Sequence, residues 1–158
     1  MINNFNNNVH STIEKMKNNE YKGDMSKLYY SSYFFLIASL YAVYNKLYLS
    51  AILVFYLFIT SVVHWNDYNN KFKLCCDYYM VFIIIFHAVY TSLKIKNYMA
   101  ILSFLLMLGL YFISFQYAFK ENYVIASNIW IFAHCLGAML CIYLFNKLKI
   151  YNKQNMKN

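Results

Sequence analysis

Two histidines and a carboxylate in this sequence have the residue types and the placement to form a site for chemistry. His64 lies at the end of one long apolar run, Asp77 lies at the start of the next, and His134 lies within the last. Thr60 precedes His64 by one helical turn, so we expect its hydroxyl to orient the imidazole. Ionisable groups at the edge of a hydrocarbon layer are costly and are usually functional. The sequence therefore predicts a polar site where the second and third apolar runs meet.

The chemistry expected of these side chains is zinc-dependent hydrolysis. A catalytic zinc takes about three protein ligands and one water, and imidazole is its neutral nitrogen donor. His64, His134 and Asp77 could supply that set, with Asp77 as a ligand or as the base beside the metal-bound water. Such a water is a hydroxide near neutral pH and attacks esters or amides. The alternative is that each histidine satisfies a hydrogen bond between helices and that Asp77 pairs with Lys71 or Lys73.

The elements that must position these residues are membrane-spanning helices. The chain of 158 residues is 61% hydrophobic and only 13% charged, and it contains no proline. A soluble domain needs charge on about a quarter of its residues. Here the charges are confined to short gaps between apolar runs of about 18 to 25 residues, the length that crosses a bilayer as a helix. The composition predicts an all-α, polytopic membrane protein.

Five apolar runs divide the chain. We expect a polar N-terminal segment over residues 1–27, a bundle of about five antiparallel transmembrane helices with short loops over residues 28–146, and a basic C-terminal tail over residues 147–158. The five runs are 28–44, 47–65, 74–93, 98–117 and 123–145.

Depth in the membrane selects which histidines can meet. At 1.5 Å per residue, we expect His134 about 10 Å inside the N-terminal face and His64 about 3 to 5 Å inside it. His87 would lie about 15 Å deeper than Asp77, so it is expected at the bundle centre.

The net charge of +8 does not indicate nucleic-acid binding, because the lysines flank the apolar runs and anchor helix ends at headgroups. Seven lysines fall on each predicted side, so the positive-inside rule does not orient the chain. All six acidic residues fall on the N-terminal side. We therefore expect the C-terminal face to be the cytoplasmic one, where anionic lipids attract lysines.

The polar pattern resembles the CREST superfamily of membrane hydrolases, which includes alkaline ceramidases and progestin/adipoQ receptors. Thr60-x-x-x-His64, Asp77 at the next helix start, and the Trp130–Gly137 stretch of the last helix carry the resemblance. It implies a zinc-dependent lipid amidase or esterase, with His64 and His134 as zinc ligands and Thr60 and Asp77 beside the metal-bound water.

The chain departs from the family pattern at four points, one of which is a His64-to-Asp77 spacing that is a little long and leaves Asp67 as a rival acid. Thr60 stands where the family has serine, and Trp130 stands where it has the first histidine of the last pair. The family also has seven helices against the five runs here. The Trp130 departure removes one zinc ligand, so the resemblance implies a reduced relative.

Three other functions are weighed against the zinc hydrolase. The main alternative to a zinc hydrolase is a non-catalytic scaffold or accessory subunit without metal. A haem carrier would use His87 and His134, and a small transporter is disfavoured because proline is absent and only three glycines occur. The expected partners are membrane lipids and a second copy or another membrane protein. The membrane itself is not indicated, although an endomembrane such as the ER is expected for a eukaryotic protein.

Overall fold

The computed structural model describes residues 25–67, 70–120 and 123–155, and these are helical with no strand among them. Most of the predicted N-terminal segment, residues 1–24, lies outside them, as do residues 156–158 of the tail. The helical segments are α1 (Met25–Ser31), α2 (Tyr33–Tyr44), α3 (Tyr48–Asn66), α4 (Lys71–Lys94), α5 (Tyr98–Phe119) and α6 (Tyr123–Asn155).

The first two segments form one helical path. Ser32 separates them, yet its backbone is right-handed helical, with φ −62° and ψ −25°. Its amide donates to the carbonyls of Leu28 and Tyr29, at 3.2 and 3.3 Å. From Met25 to Tyr44 this path is roughly 30 Å long, which matches the hydrocarbon thickness of a bilayer. The described chain therefore contains five helical rods, as the apolar runs predict.

Two turns with the same geometry join α2 to α3 and α4 to α5. In the first, the amides of Lys46 and Leu47 donate to the carbonyls of Val43 and Ala42, at 2.8 and 2.9 Å. This pair of bonds is a Schellman motif, and its left-handed position usually holds glycine. Lys46 occupies that position with φ 59°.

The second turn repeats this arrangement. The amides of Lys96 and Asn97 donate to the carbonyls of Leu93 and Ser92, at 3.0 and 2.8 Å. Lys96 has φ 55°. A left-handed conformation costs a residue with a side chain roughly 1 to 2 kcal/mol. Both turns therefore hold a lysine in a strained position.

The connection between α3 and α4 is polar and capped. The side-chain oxygen of Asn70 accepts from the amides of Phe72 and Lys73, at 3.0 and 3.3 Å, which caps the start of α4. The Lys73 ammonium pairs with Asp67 at 2.7 Å. The carboxylate that Lys73 neutralises is thus Asp67, and Asp77 is left to other partners.

The last helix is longer than the apolar run that predicts it. The run ends at residue 145, but α6 continues to Asn155 without a break. Neither proline nor glycine follows Gly137, so nothing in the sequence stops the helix. Lysines are good helix formers and interact favourably with a helix C-terminus. The described part of the predicted tail is therefore helical and rises beyond the bundle.

The interior combines large apolar side chains such as Phe104 and Leu144 with many small and polar residues, whereas the surface holds mainly large apolar ones. Among the buried positions are alanines on α2, α3 and α6 and serines on most helices: Ala38, Ala42, Ala51, Ala133, Ala138, Ser32, Ser61, Ser92, Ser114 and Ser127. Ile37, Leu49 and Leu106 are 55%, 65% and 64% exposed. Small residues let helices approach closely where lipid surrounds them.

Each rod packs against its neighbours in the chain, and α6 closes the ring against α1 and α2. Serine hydroxyls bond between neighbouring helices. Ser39 donates to the carbonyl of Ala51 at 2.9 Å, and Ser114 donates to that of Ala126 at 2.8 Å. Three helices of the described chain, α3, α4 and α6, are long and apolar enough to cross a membrane. The all-helical class is confirmed.

Candidate functional site

Asp77 is the centre of a hydroxyl cluster between α3 and α4. It lies in the second turn of α4 and is 4% exposed. Ser61 donates its hydroxyl to Asp77 Oδ1 at 2.6 Å, and Thr60 lies 3.2 Å from the same oxygen. Both donors belong to α3, on the side that faces α4. Both hydroxyls use Oδ1, and no hydrogen bond to Oδ2 occurs among the described residues.

The position of Thr60 differs from the expectation that it orients His64. Its hydroxyl lies 3.1 Å from the carbonyl of Leu57 and 3.2 Å from Asp77, and it makes no described contact with His64. A threonine hydroxyl commonly bonds back to the previous helical turn, and this leaves it beside Asp77. The prediction that Thr60 orients His64 is therefore wrong, although Thr60 and Asp77 are neighbours.

A serine from the first helix holds His134. Ser31 Oγ lies 2.8 Å from His134 Nδ1 and 2.8 Å from the carbonyl of Leu28. A hydroxyl has one proton, and a carbonyl can only accept. The proton of Ser31 therefore points to Leu28, and its oxygen accepts from the Nδ1–H of His134. In a neutral imidazole, this arrangement leaves Nε2 as the hydrogen-bond acceptor.

His64 is buried beside the two tryptophans of the chain. It is 3% exposed, and its ring centroid is 4.5 Å from that of Trp65. Trp65 also lies 5.7 Å from Trp130 and 6.3 Å from His134. Among the described side chains, nothing bonds His64 Nδ1 or Trp65 Nε1. An unsatisfied buried nitrogen costs about 1 to 3 kcal/mol, so this end of the bundle gives up stability.

A cavity of about 240 Å³ lies between α3, α4, α5 and α6, and its lining includes Asp77, His134 and both tryptophans but not His64. Asp77 and Tyr111 supply polar groups on one part of its wall, and His134 borders the same space. The remaining walls are aromatic and aliphatic: Trp65, Tyr78, Val81, Phe82, Leu108, Phe112 and Trp130. Phe82 and Phe112 are 67% and 65% exposed, so the cavity opens on the outside of the bundle between α4 and α5.

The residues predicted to bind zinc lie at this end of the bundle, but their geometry does not fit a metal centre. Within the described ranges, no group of three or more histidine, cysteine or acidic side chains could hold a metal ion. The zinc set of His64, His134 and Asp77 thus stays a prediction without geometric support.

His87 lies apart from this cluster. Its Nε2 is 2.9 Å from the hydroxyl of Ser50, near the start of α3. Ser50 and His64 are separated along α3 by about 21 Å. His134 lies beside Trp65, about 22 Å along α3 from Ser50, so the two histidines lie at different depths and do not face each other across one haem.

Sequence reasoning did not find Ser31, Ser61 or Tyr111. Ser31 and Ser61 carried one usable signal, because a small polar residue inside an apolar run usually faces another helix. Nothing in the sequence indicates that Ser31 meets His134, since 103 positions separate them. Tyr111 is one of 18 tyrosines, and its type carries no specific signal.

Comparisons with protein-family models, curated proteins and solved structures give no significant match.

Proposed function

We propose that this chain is a multi-pass integral membrane protein that binds an apolar molecule with one polar, hydrogen-bond-donating end. The cavity between α3, α4, α5 and α6 is the proposed binding site, and Asp77 would receive the polar end. The observation that carries the proposal is a buried carboxyl on the wall of a largely apolar cavity. An ionisable group inside the membrane is a functional-site hypothesis by default.

The distribution of side chains supports the membrane location. Large apolar residues cover the outside of the bundle, whereas soluble monomers rarely expose contiguous apolar patches above a few hundred Å². Three helices have sufficient length and composition to cross a bilayer, and the α1–α2 path and α5 have comparable lengths. Five crossings place the two ends of the described chain on opposite sides.

The polar groups of the cavity support a ligand whose polar end donates hydrogen bonds. The serine hydroxyls contact Asp77 through Oδ1 and His134 through Nδ1. Asp77 Oδ2 and His134 Nε2 therefore remain available, and both can accept a hydrogen bond. A primary amine or a hydroxyl supplies the donors that these atoms need. A carboxylate supplies no such donor and would leave both acceptors unpaired.

The volume of the cavity supports a ligand with a single alkyl chain. A volume of about 240 Å³ lies just below the range of pockets for drug-sized ligands. It accommodates part of one alkyl chain, and the opening between Phe82 and Phe112 lets the rest extend into surrounding lipid. We therefore expect single-chain amines or alcohols to bind better than two-chain phospholipids.

Thermal unfolding in micelles tests this proposal with three probes of equal chain length: dodecylamine, dodecanol and dodecanoate. A ligand that binds only the folded protein raises the unfolding temperature by mass action. We expect the amine and the alcohol to raise it and the carboxylate to leave it unchanged. Equal shifts with all three compounds would overturn the proposal, because they would reflect the micelle rather than the site.

Two variants make the test specific. Asp77→Asn keeps the shape of the side chain but makes one of the two carboxyl oxygens an NH₂ donor, and we expect it to reduce the amine-dependent shift. Leu108→Phe adds bulk to the cavity wall and should reduce the shifts with both amine and alcohol. Gly109→Ala is the matched control, because a Cβ there meets no atom within 4 Å.

As a second candidate, we propose the lipid amidase or esterase that the CREST resemblance implies. The observation in its favour is that Asp77 and His134 border one cavity. Elemental analysis of the purified protein tests it. Stoichiometric zinc that is lost in His64→Ala would favour the hydrolase, whereas sub-stoichiometric zinc unaffected by that substitution would exclude it.

A further inference from the structure

The end of the bundle away from Asp77 carries six lysines among the described residues; Lys94 ends α4, and the other five surround the extension of α6. The extension of α6 bears Lys147, Lys149 and Lys153. The two Schellman turns beside it bear Lys46 and Lys96. Asp67 and Asp77, the acidic residues of the described ranges, both lie at the other end.

The α6 extension forms one groove with each turn. The groove beside the first turn has a volume of about 680 Å³ and contains Lys46, Lys149 and Lys153. The groove beside the second turn has a volume of about 300 Å³ and contains Lys96 and Lys147. The helical period explains the division, because residues 147, 151 and 154 share one face of α6 and residues 149, 152 and 153 share another.

Aromatic rings position two of these lysines. The Lys149 ammonium lies 5.8 Å from the centroid of Tyr44, and the Lys147 ammonium lies 5.6 Å from that of Tyr143. Tyrosine rings and lysines at helix ends are typical of the layer where a bilayer meets water. The five ammonium groups are therefore concentrated at the depth of lipid headgroups.

The strained turns are an independent sign of function. Each places lysine where glycine would relieve the left-handed backbone. Such strain clusters at functional sites, where the side chain has a use that offsets it. Here both strained side chains belong to the grooves that α6 borders.

We propose that these two grooves bind the headgroups of anionic phospholipids. A phosphate with one net negative charge would lie between a turn lysine and the lysines of α6, with its acyl chains along the exposed apolar faces of the neighbouring helices. This binding places the C-terminal end of the bundle in the leaflet that contains anionic lipid.

Unfolding of the protein in lipid nanodiscs tests this proposal. The protein is reconstituted in phosphatidylcholine alone and in a three-to-one mixture with phosphatidylglycerol, and the difference in Tm is measured. We expect the mixture to stabilise the wild type. With roughly equal contributions from five lysines, Lys46→Gly combined with Lys96→Gly should remove about two fifths of that stabilisation. In phosphatidylcholine alone, this variant should unfold at the wild-type temperature or above it, because glycine relieves both turns.

A second pair of substitutions controls for net charge. Lys27→Gln combined with Lys94→Gln removes the same charge from exposed positions outside the grooves, and it should retain the stabilisation. Equal losses in the two double variants, or no lipid effect on the wild type, would overturn the proposal. Equal stabilisation by soluble glycerol phosphate in phosphatidylcholine nanodiscs would also overturn it, since the ligand would then be a free phosphate compound.

Discussion

The two ends of the bundle differ in what joins the helices and in what lies between them. At the C-terminal end, the turns at Lys46 and Lys96 close with the same backbone hydrogen bonds, and the interior beneath them is apolar. At the other end, Asp77, His64 and His134 lie in the interior beside a cavity, and two ring nitrogens have no partner among the described residues. Asn45 Oδ1 in the first turn is also without a partner among the described residues, so the contrast rests on the packed apolar core at one end and the cavity at the other, where we propose that a ligand binds.

The largest effect is expected where the C-terminal, packed end loses a buried ring. Phe104 is 1% exposed and packs against Ala88, Ala100, Met107 and Leu144. We expect Phe104→Ala to lower the free energy of unfolding by about 3 kcal/mol, because a cavity replaces the ring. Equilibrium unfolding in mixed micelles measures this change.

Phe112→Ala is the matched control on the same helix. Phe112 is 65% exposed at the rim of the cavity, so its removal leaves no buried void. We expect a change below about 1 kcal/mol. Equal losses for the two phenylalanines would remove the distinction between a packed end and an open end.

A smaller effect is expected in the hydroxyl cluster. Ser61→Ala removes the 2.6 Å bond to Asp77, and we expect a loss of about 1 to 2 kcal/mol in the free energy of unfolding. Thr60→Val should cost less, because the Thr60 hydroxyl is 3.2 Å from Asp77 and shares its proton with Leu57. A larger loss in the free energy of unfolding for Thr60→Val than for Ser61→Ala would contradict this assignment of the stronger bond to Ser61.

The smallest effect distinguishes two helical glycines. A Cβ on Gly137 would lie 2.9 Å from Met107 Sδ, whereas a Cβ on Gly109 meets open space. Alanine favours a helix by about 1 kcal/mol over glycine, so Gly109→Ala should stabilise the protein by up to that amount. At Gly137 the contact with Met107 should cancel the gain or reverse it. A larger gain at Gly137 than at Gly109 would show that α5 and α6 are not closely packed there.

The sequence was informative about the rods and less so about the site. Long apolar runs without proline predicted helices over 47–65, 74–93, 98–117 and 123–145, and the structure has a helix over each. The extension of α6 was missed because an apolar run marks the membrane, whereas a helix ends only where residues stop it. Lysines in the two turns gave no turn signal, since glycine is the usual left-handed residue.

The site could be predicted in its position but not in its contacts. The expected membrane depths separated His87 from Asp77, and in the structure His87 lies against Ser50. The rotation of each helix about its axis decides which side chains meet, and spacing alone does not fix it. The Thr60 hydroxyl therefore faces Asp77 instead of His64, and His134 bonds to Ser31 on a helix that carried no predicted site residue.

Tryptophan fluorescence tests most directly whether the Asp77 end binds a ligand. The chain has two tryptophans, and both Trp65 and Trp130 border the cavity. Bromine quenches an indole on contact, so dodecylamine brominated along its chain reports entry into this space. We predict saturable quenching in the wild type, weaker quenching in Leu108→Phe, and only a linear, micelle-dependent effect from the brominated carboxylate. Equal, non-saturable quenching by amine and carboxylate in both proteins would contradict the account.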